Sequence, residues 1–496
     1  MNISPLIGLE IHVQLKTKSK MFCSCSTDYF GADPNTHTCP VCLGLPGALP
    51  VANKEALRRS ILVGLALNCD VNQKCHFDRK SYYYPDLPKG YQISQFYKPI
   101  VENGWIEIEI GDDTKRIRIR EAHQEEDAAK SIHKEDSTLV DFNKSGMPLL
   151  EIVSEPDMVS GEEARLYATK IRQLCRYLRV SDCDMEKGSM RVEPTVNLKI
   201  ETDEGKTIYT PLVEVKNIGS LKAAEKAIGY EIKRQLKQWE KDGIEKAPTN
   251  KTTRGWDAIK QVTFLQREKE GAADYRYFPE PDIPPLEFSD EYIENIRQSL
   301  PELPWEKKKR FMDKYGLNEY DAEVLTLTRA TADWYEDSCK AVEKLAKKEK
   351  VEQLEALHKD IANWINGDVK AYKKKNKVKF ADMKLKPEHI AAISIMLTKR
   401  MISGKIAKDV LAEILKTGRS PREIIEEKGL VQVSDESAIE KIAQQVLAEN
   451  TQQVEQYKAG KIGLIGYFVG QVMKKSKGKA NPKVANDVLK KLLEEN

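Results

Sequence analysis

The chain has 496 residues, which at the ~150 residues of a typical domain points to about three domains and excludes a single small module. Hydrophobic residues make up 40% and charged residues 32%, which excludes disorder over the whole chain, and no run approaches the ~20 apolar residues that cross a bilayer. With 80 basic and 77 acidic residues the net charge is +3, so neither a polybasic coat for nucleic acid nor an acidic sponge follows from the balance, and local pattern has to carry function.

In chain order, residues 1–5 lack a basic region followed by an apolar one, and a cytoplasmic protein is expected. Residues 7–15 alternate: Ile7, Leu9, Ile11 and Val13 share one side of a strand, and Glu10, His12 and Gln14 the other. Next come Cys23-Ser24-Cys25 and Cys39-Pro40-Val41-Cys42, separated by thirteen residues. Four soft ligands on two tight turns suit a tetrahedral Zn²⁺ site, and a structural one, because thiolates fill every position. Four reduced thiols without metal are the plainer alternative, and His37 is a possible substitute ligand. The nine cysteines, odd in number and clustered, argue for a reducing compartment rather than a disulfide framework.

A helix is expected over 54–67. The stretch 77–95 then mixes Lys80, Tyr82, Tyr83, Tyr84, Lys89 and Tyr91 with turn formers in no clean period, as a functional loop or an aromatic packing loop would. Strands are expected over 105–110, 117–119, 194–200 and 212–215. Carboxylates recur along this part in or beside aliphatic runs: Glu125-Glu126-Asp127, Glu151 within Leu149-Leu150-Glu151-Ile152-Val153, and Glu214 within Leu212-Val213-Glu214-Val215. A carboxylate among aliphatic residues is costly to bury unless neutralised, and hard divalent cations with oxygen ligands and an occasional imidazole do that. A helix over 162–178 has Ser160 and Gly161 as cap candidates and Glu162 and Glu163 in its first turn. Closely spaced prolines forbid a helix over 277–286, which reads as a strap closing the first domain.

Beyond the strap the pattern is helical, over 290–299, 304–315, 319–327, 332–345 and 351–370. The basic stretch 370–379 is expected as a solvated linker or loop, and shorter helices over 403–415, 420–428, 435–450 and 451–458. Gly463, Gly466 and Gly470 leave a smooth helical stripe. Lys474, Lys475, Lys477 and Lys479 follow, a cluster that either replaces counterions on a nucleic acid or is a solvated charge run. No phosphate loop, dinucleotide fingerprint or nucleophile elbow is present. A glycine and serine-rich amidase signature is also missing, so this chain is not expected to release ammonia from an amide donor unaided.

Five strings together resemble the GatB family, the B subunits of aspartyl/glutamyl-tRNA(Asn/Gln) amidotransferases: Ile7-Gly8-Leu9-Glu10-Ile11-His12-Val13, Tyr91-Gln92-Ile93-Ser94-Gln95, Pro148-Leu149-Leu150-Glu151-Ile152-Val153-Ser154-Glu155-Pro156-Asp157, Asp274-Tyr275-Arg276-Tyr277-Phe278-Pro279-Glu280-Pro281-Asp282 and Val469-Gly470-Gln471-Val472-Met473-Lys474. The resemblance covers nearly the whole chain; the large inserted domain of the archaeal GatE relatives has no room here. It implies an α+β protein: a mixed α/β cradle domain over 1–290 with an inserted zinc-binding loop over 23–42, an all-α helical domain over 291–402, and an all-α YqeY-like tail over 403–496 that helps hold tRNA. It also implies a ligase that forms carbon–nitrogen bonds with glutamine as nitrogen donor. ATP phosphorylates the side-chain carboxylate of Asp or Glu misattached to tRNA(Asn) or tRNA(Gln). Ammonia from the amidase (A) subunit, in a heterotrimer with a small C subunit, then displaces phosphate.

By position in the family's motifs, the resemblance implies His12, Glu126 and Glu151 as ligands of one Mg²⁺, and Glu10 and Glu214, with Glu126 shared, as ligands of a second. A slip of one residue would exchange Glu125 for Glu126. Lys80 and Lys89 fall where the family lines its ammonia passage, and Cys23, Cys25, Cys39 and Cys42 resemble its zinc-containing branch. There are departures: Arg191-Val192-Glu193-Pro194-Thr195 stands where the family usually has Arg-Cys-Asp-Ala-Asn, and Ala272-Ala273-Asp274 is looser than usual. On the residues alone a different class stays open, a zinc-stabilised RNA-binding protein without catalysis, relying on the thiolates and the lysine cluster.

Overall fold

The computed structural model describes residues 1–269, 275–430, 436–476, 480 and 482–495. The chain divides into two units, Met1–Leu303 and Pro304–Asn496. The first is built on one large sheet. Its strands are β1 (Asn2–Gln14), β2 (Asp70–Val71), β3 (Val101–Ile110), β4 (Asp113–Glu126), β5 (Pro148–Ser154), β6 (Met190–Glu201), β7 (Thr207–Tyr209), β8 (Val213–Lys216), β9 (Lys251–Asp257) and β10 (Val262–Lys269). They lie in the order β10-β9-β8-β6-β1-β5-β4-β3-β2, with β7 beside β6. Neighbours pair antiparallel except β8 with β9.

Alternation along β1 sets the two faces. Ile7, Leu9, Ile11 and Val13 are buried, on the side where the helices α2 (Gly161–Tyr177) and α3 (Leu221–Asp242) pack, while α1 (Lys54–Ala66) covers β3 and β4. The start of α2 follows its sequence signals, because Ser160 Oγ accepts a hydrogen bond of 3.1 Å from the Glu163 N–H. Gly161 is needed there for close approach: a Cβ at this position would lie 2.4 Å from the carbonyl oxygen of Glu225 on α3. Helices thus cover the apolar face, and the polar face carries Glu10, His12 and Gln14.

The stretch 77–95 is more regular than its composition suggests. Asp78–Ser81 pairs antiparallel with Tyr91–Ser94, and the strap adds Phe278–Pro279 to the same small sheet. The strap is extended, as its prolines require, and is tied down by Arg79, whose guanidinium donates to Glu280 at 2.7 and 2.9 Å. The helix Asp290–Gln298 packs on α1 within this first unit.

The second unit is helical and has a core around Phe311, Tyr335, Leu357, Ile361, Ile390 and Ile414 and another around Ile439, Val446, Phe468, Val472 and Leu489. The helix Gly404–Thr417, expected from the sequence at the start of the tail, packs its Ala407, Val410, Leu411 and Ile414 into the first of these cores. The basic stretch 370–379 is no linker. A π-helical turn, Ile365–Val369, runs into the helix Lys370–Asn376, because lysine is a good helix former and Val369 is buried at its start. Lys373 then sets its ammonium 3.4 Å from the Phe380 ring centroid. Among the described residues, no helix is long and apolar enough to cross a membrane.

Candidate active site

Strand register decides which side chains meet on the polar face. His12 on β1 stands opposite Glu151 on β5 and Arg191 on β6, and Glu151 stands opposite His123 on β4. One row further along, Glu10 faces Glu193 on β6, and in the row after that Thr195 on β6 faces Glu214 on β8. Residues two apart on a strand share a face, so acidic and imidazole groups from five adjacent strands converge.

His12 Nε2 lies 3.3 Å from a Glu151 oxygen, and His123 Nε2 lies 3.2 Å from the same oxygen and 3.6 Å from Glu125. Glu125 is further held by Ser94 Oγ at 2.9 Å and by Gln92 Nε2 at 3.1 Å. Burial alone would push the Glu151 carboxyl up, but His12 and His123 outweigh it and hold the group well below the usual carboxylate range. Glu10 is shifted the other way, raised first by burial and then by the charges of Glu151 and Glu193.

Two sets of donors result. One nitrogen of His12 and an oxygen each from Glu125 and Glu151 lie within 4.8 Å of one another, and oxygens of Glu10, Glu193 and Glu214 do the same. The first set has the composition a hard divalent cation takes, two carboxylates and one imidazole, and His12 Nδ1 is buried without a hydrogen-bond partner. The second is all carboxylate and already has cations against it. Lys216 Nζ stands 2.6 Å from Glu193 and 2.9 Å from Glu214, with Lys251 at 3.6 Å from Glu214. Burial resists the ionisation of Glu193, yet Lys216 and His12 bring its pKa down to about 2.

The sequence-derived set is therefore redistributed. His12 and Glu151 come together, as do Glu10 and Glu214. Glu126 joins neither set, because on β4 it follows Glu125 and leaves the strand on the other side; its neighbour Glu125 takes the place beside His12 and Glu151. Glu126 instead makes an ion pair with Lys89 and accepts from the Ile93 N–H at 3.1 Å. Lys80 lies 3.9 Å from Glu125. Burial favours the neutral amine of Lys80, but Glu125 and its neighbours raise the ammonium's pKa overall. Sequence reasoning named Glu193 only as a departure from the family's motif and gave no role to His123. Their signal was the alternation of Arg191, Glu193 and Thr195 on β6 and of Glu121, His123 and Glu125 on β4, legible only once the pairing of these strands is known.

The Sγ atoms of Cys23, Cys25, Cys39 and Cys42 also lie within 4.8 Å of one another, which suits a soft tetrahedral ion. A hydrogen bond from Cys23 brings the Cys42 thiol down to about 4 against the effect of burial, and the Cys39 N–H donates to Cys42 Sγ at 3.2 Å. His37 stands outside the set, its Nδ1 3.4 Å from the Ser26 carbonyl. Of the C-terminal lysines, Lys474 and Lys475 end the helix Ile465–Lys475, and Lys475 pairs with Glu449. Lys477 and Lys479 lie outside the described residues.

Comparison with known proteins gives matches over both units. Residues 5–294 match the model described as the GatB/GatE catalytic domain, and residues 342–493 match the GatB domain. Similar proteins include the B subunit of the aspartyl/glutamyl-tRNA(Asn/Gln) amidotransferase of Thermotoga petrophila, 46% identical over 500 residues and covering all of both chains. Its counterparts are 48% identical in Persephonella marina, over 99% of this chain and all of theirs, and 46% identical in Carboxydothermus hydrogenoformans, over 98% of each.

Proposed function

Because the chain belongs to the GatB family, we propose that it works as the B subunit of an aspartyl/glutamyl-tRNA amidotransferase, activating the side-chain carboxylate of misacylated tRNA with ATP and converting it to the amide. A carboxylate repels nucleophiles and has no good leaving group. Transfer of the γ-phosphoryl group to one of its oxygens, with ADP departing, supplies one; ammonia then attacks the acyl carbon and inorganic phosphate leaves. The observation that supports this reading is the convergence of His12, Glu125 and Glu151 from three strands on one buried face.

In this reading His12, Glu125 and Glu151 would hold Mg²⁺, with Glu10, Glu193 and Glu214 as a second carboxylate set. Magnesium bound there would offset charge while the phosphoryl group moves between two anions. The chain's own groups do the rest. The strands fix the donors before substrate arrives, so no reorganisation accompanies the reaction. Beside Glu10, a cavity of about 400 Å³ is lined by Arg120, Lys246 and Lys251, cations suited to the oxygens of a triphosphate. Lys80 and Lys89, the latter paired with Glu126, would line the way by which ammonia arrives. Cys23, Cys25, Cys39 and Cys42 would hold structural Zn²⁺, and Lys474, Lys475, Lys477 and Lys479 would meet tRNA phosphates. The amidase and small subunits complete the assembly, with a cradle over Met1–Leu303 and, within Pro304–Asn496, a helical domain that takes in the helix Gly404–Thr417 and a tail beyond it as its working parts here. A non-catalytic RNA-binding protein would leave the buried acidic face without a use.

The test is ATP cleavage and amide formation on Glu-tRNA(Gln) and Asp-tRNA(Asn) by the reconstituted heterotrimer. His12→Ala is expected to abolish ATP cleavage that depends on misacylated tRNA while glutamine hydrolysis by the amidase subunit persists. Full amide formation by this variant would refute the assignment.

A further inference from the structure

The thiolate set and the Lys89–Glu126 pair come from distant parts of the chain, yet they border one cavity of about 190 Å³, lined by Cys23, Cys42, Gly44, Lys89, Tyr91 and Glu126 among others. Three contacts join them. Gly44, two residues after Cys42, sits in a left-handed turn (φ +67°) directly against Lys89: a Cβ there would lie 2.4 Å from Lys89 Cγ and 3.1 Å from its Cα. The turn is closed by its own backbone, with Leu43 N–H donating to Cys39 O and Gly44 N–H to Val41 O, both at 3.0 Å. Gly146 fills the gap between the two groups, since a Cβ on it would meet Cys42 Cβ at 3.4 Å and Glu126 Oε2 at 3.9 Å.

Lys20 adds a third tie. It is fully buried, and its ammonium donates to His37 O at 2.7 Å and lies 3.7 Å from Cys42 Sγ. The next residue, Met21, donates its N–H at 2.8 Å to Gly146 O, and Gly146 donates at 2.9 Å to Asp127 O, one residue beyond Glu126. Lys89, pressed between the cysteine turn and Glu126, is thus held from both sides, and the turn itself carries Cys39 and Cys42, two of the four gathered thiols.

We propose that the turn Cys39–Gly44 is a positioning element for Lys89 and Glu126, so that metal in the thiolate set governs delivery of ammonia to the activated carboxylate and leaves ATP-dependent activation alone. This deepens the amidotransferase reading and rests on it. Placement supports the separation: the cavity is bounded by Glu126, which belongs to neither donor set of the polar face, whereas His12, Glu125 and Glu151 are placed by sheet pairing, and Glu125 is further held by Gln92 and Ser94, none of which involves the cysteine turn.

The experiment uses the complete heterotrimer, with bound zinc measured alongside. Gly44→Ala keeps all four thiols but drives a methyl into Lys89. Its expected effect is retained zinc, unchanged tRNA-dependent ATP cleavage, and a roughly tenfold loss of amide formed from glutamine, with amide from added ammonium chloride largely retained. In a Lys89→Ala background the same substitution is expected to add nothing, since it acts through that side chain. A second readout does not depend on activity: acylation of the Lys89 amine, read by mass spectrometry, is expected to rise severalfold when chelator removes the zinc. Equal losses with both nitrogen sources, no loss with either, or Lys89 labelling that stays constant as zinc leaves would each overturn the proposal. A wild-type complex that makes no amide from either source would instead refute the amidotransferase reading.

Discussion

The polar face of the sheet and the cysteine cluster of residues 23–42, called the knot below, face the same physical difficulty, several ionisable groups that could hold metal gathered within a few ångströms, and they meet it in opposite ways. On the sheet, Glu10, His12, Glu125, Glu151, Glu193 and Glu214 are brought together by a ladder of backbone hydrogen bonds that would form whatever those side chains were. Their charge is offset locally, by His123 between Glu125 and Glu151 and by Lys216 between Glu193 and Glu214. In the knot, residues 23–42 contain almost no regular secondary structure. The cation that touches a sulfur is Lys20, 3.7 Å from Cys42 Sγ, among the contacts of the described residues. A rigid scaffold can present a site before any ion arrives; a loop with little regular structure is expected to gain more of its order from an ion bound to it.

The contrast can be broken most forcefully by removing charge from the sheet. Glu151→Gln is expected to lower tRNA-dependent ATP cleavage by about 10²-fold or more, while far-ultraviolet circular dichroism stays native because the strand pairing is untouched; a loss of sheet signal would mean that the face is held by its charges. Next in size is the split between two adjacent carboxylates. Glu125→Gln should impair ATP cleavage about as strongly as Glu151→Gln, whereas Glu126→Gln should leave ATP cleavage and lose glutamine-dependent amide formation, both read in one coupled assay. The reverse pattern would put Glu126 in the metal set after all.

Zinc removal sharpens the other side. With chelator, amide hydrogen exchange should accelerate through 23–47 and stay slow in β1, whose Ile11 and Val13 remain inside the core. Equal acceleration in both would show that knot and sheet unfold together. The smallest effect is expected of Lys216→Met, which leaves Glu193 and Glu214 without the ammonium they share. Its ammonium is about one-third exposed, so solvent discounts the cost to about 1–2 kcal/mol in urea unfolding.

Much of this was legible before any coordinates. The alternation in 7–15 assigns both faces of β1 outright, Ser160 announces α2, and the four cysteines announce their own cluster by spacing. What was not legible is what depends on pairing between strands far apart in sequence. Whether Glu125 or Glu126 faces His12 is a matter of one residue in the register of β4, and a slip of one turns every side chain to the other face. Glu193 was concealed differently, since its role comes from standing opposite Glu10 on a strand nearly two hundred residues away. The helix Lys370–Asn376 was hidden because a lysine run reads as solvated whether or not its backbone is helical. The contact of Gly44 with Lys89 has no sequence signature at all.

The most direct test of the central claim is to locate a divalent cation in crystals of the heterotrimer soaked with Mn²⁺, using its anomalous scattering. The expected result is a peak bonded to His12, Glu125 and Glu151 that disappears in Glu151→Gln. A peak bonded to Glu126 and not Glu125, or density only at exposed carboxylates away from the polar face, would contradict it.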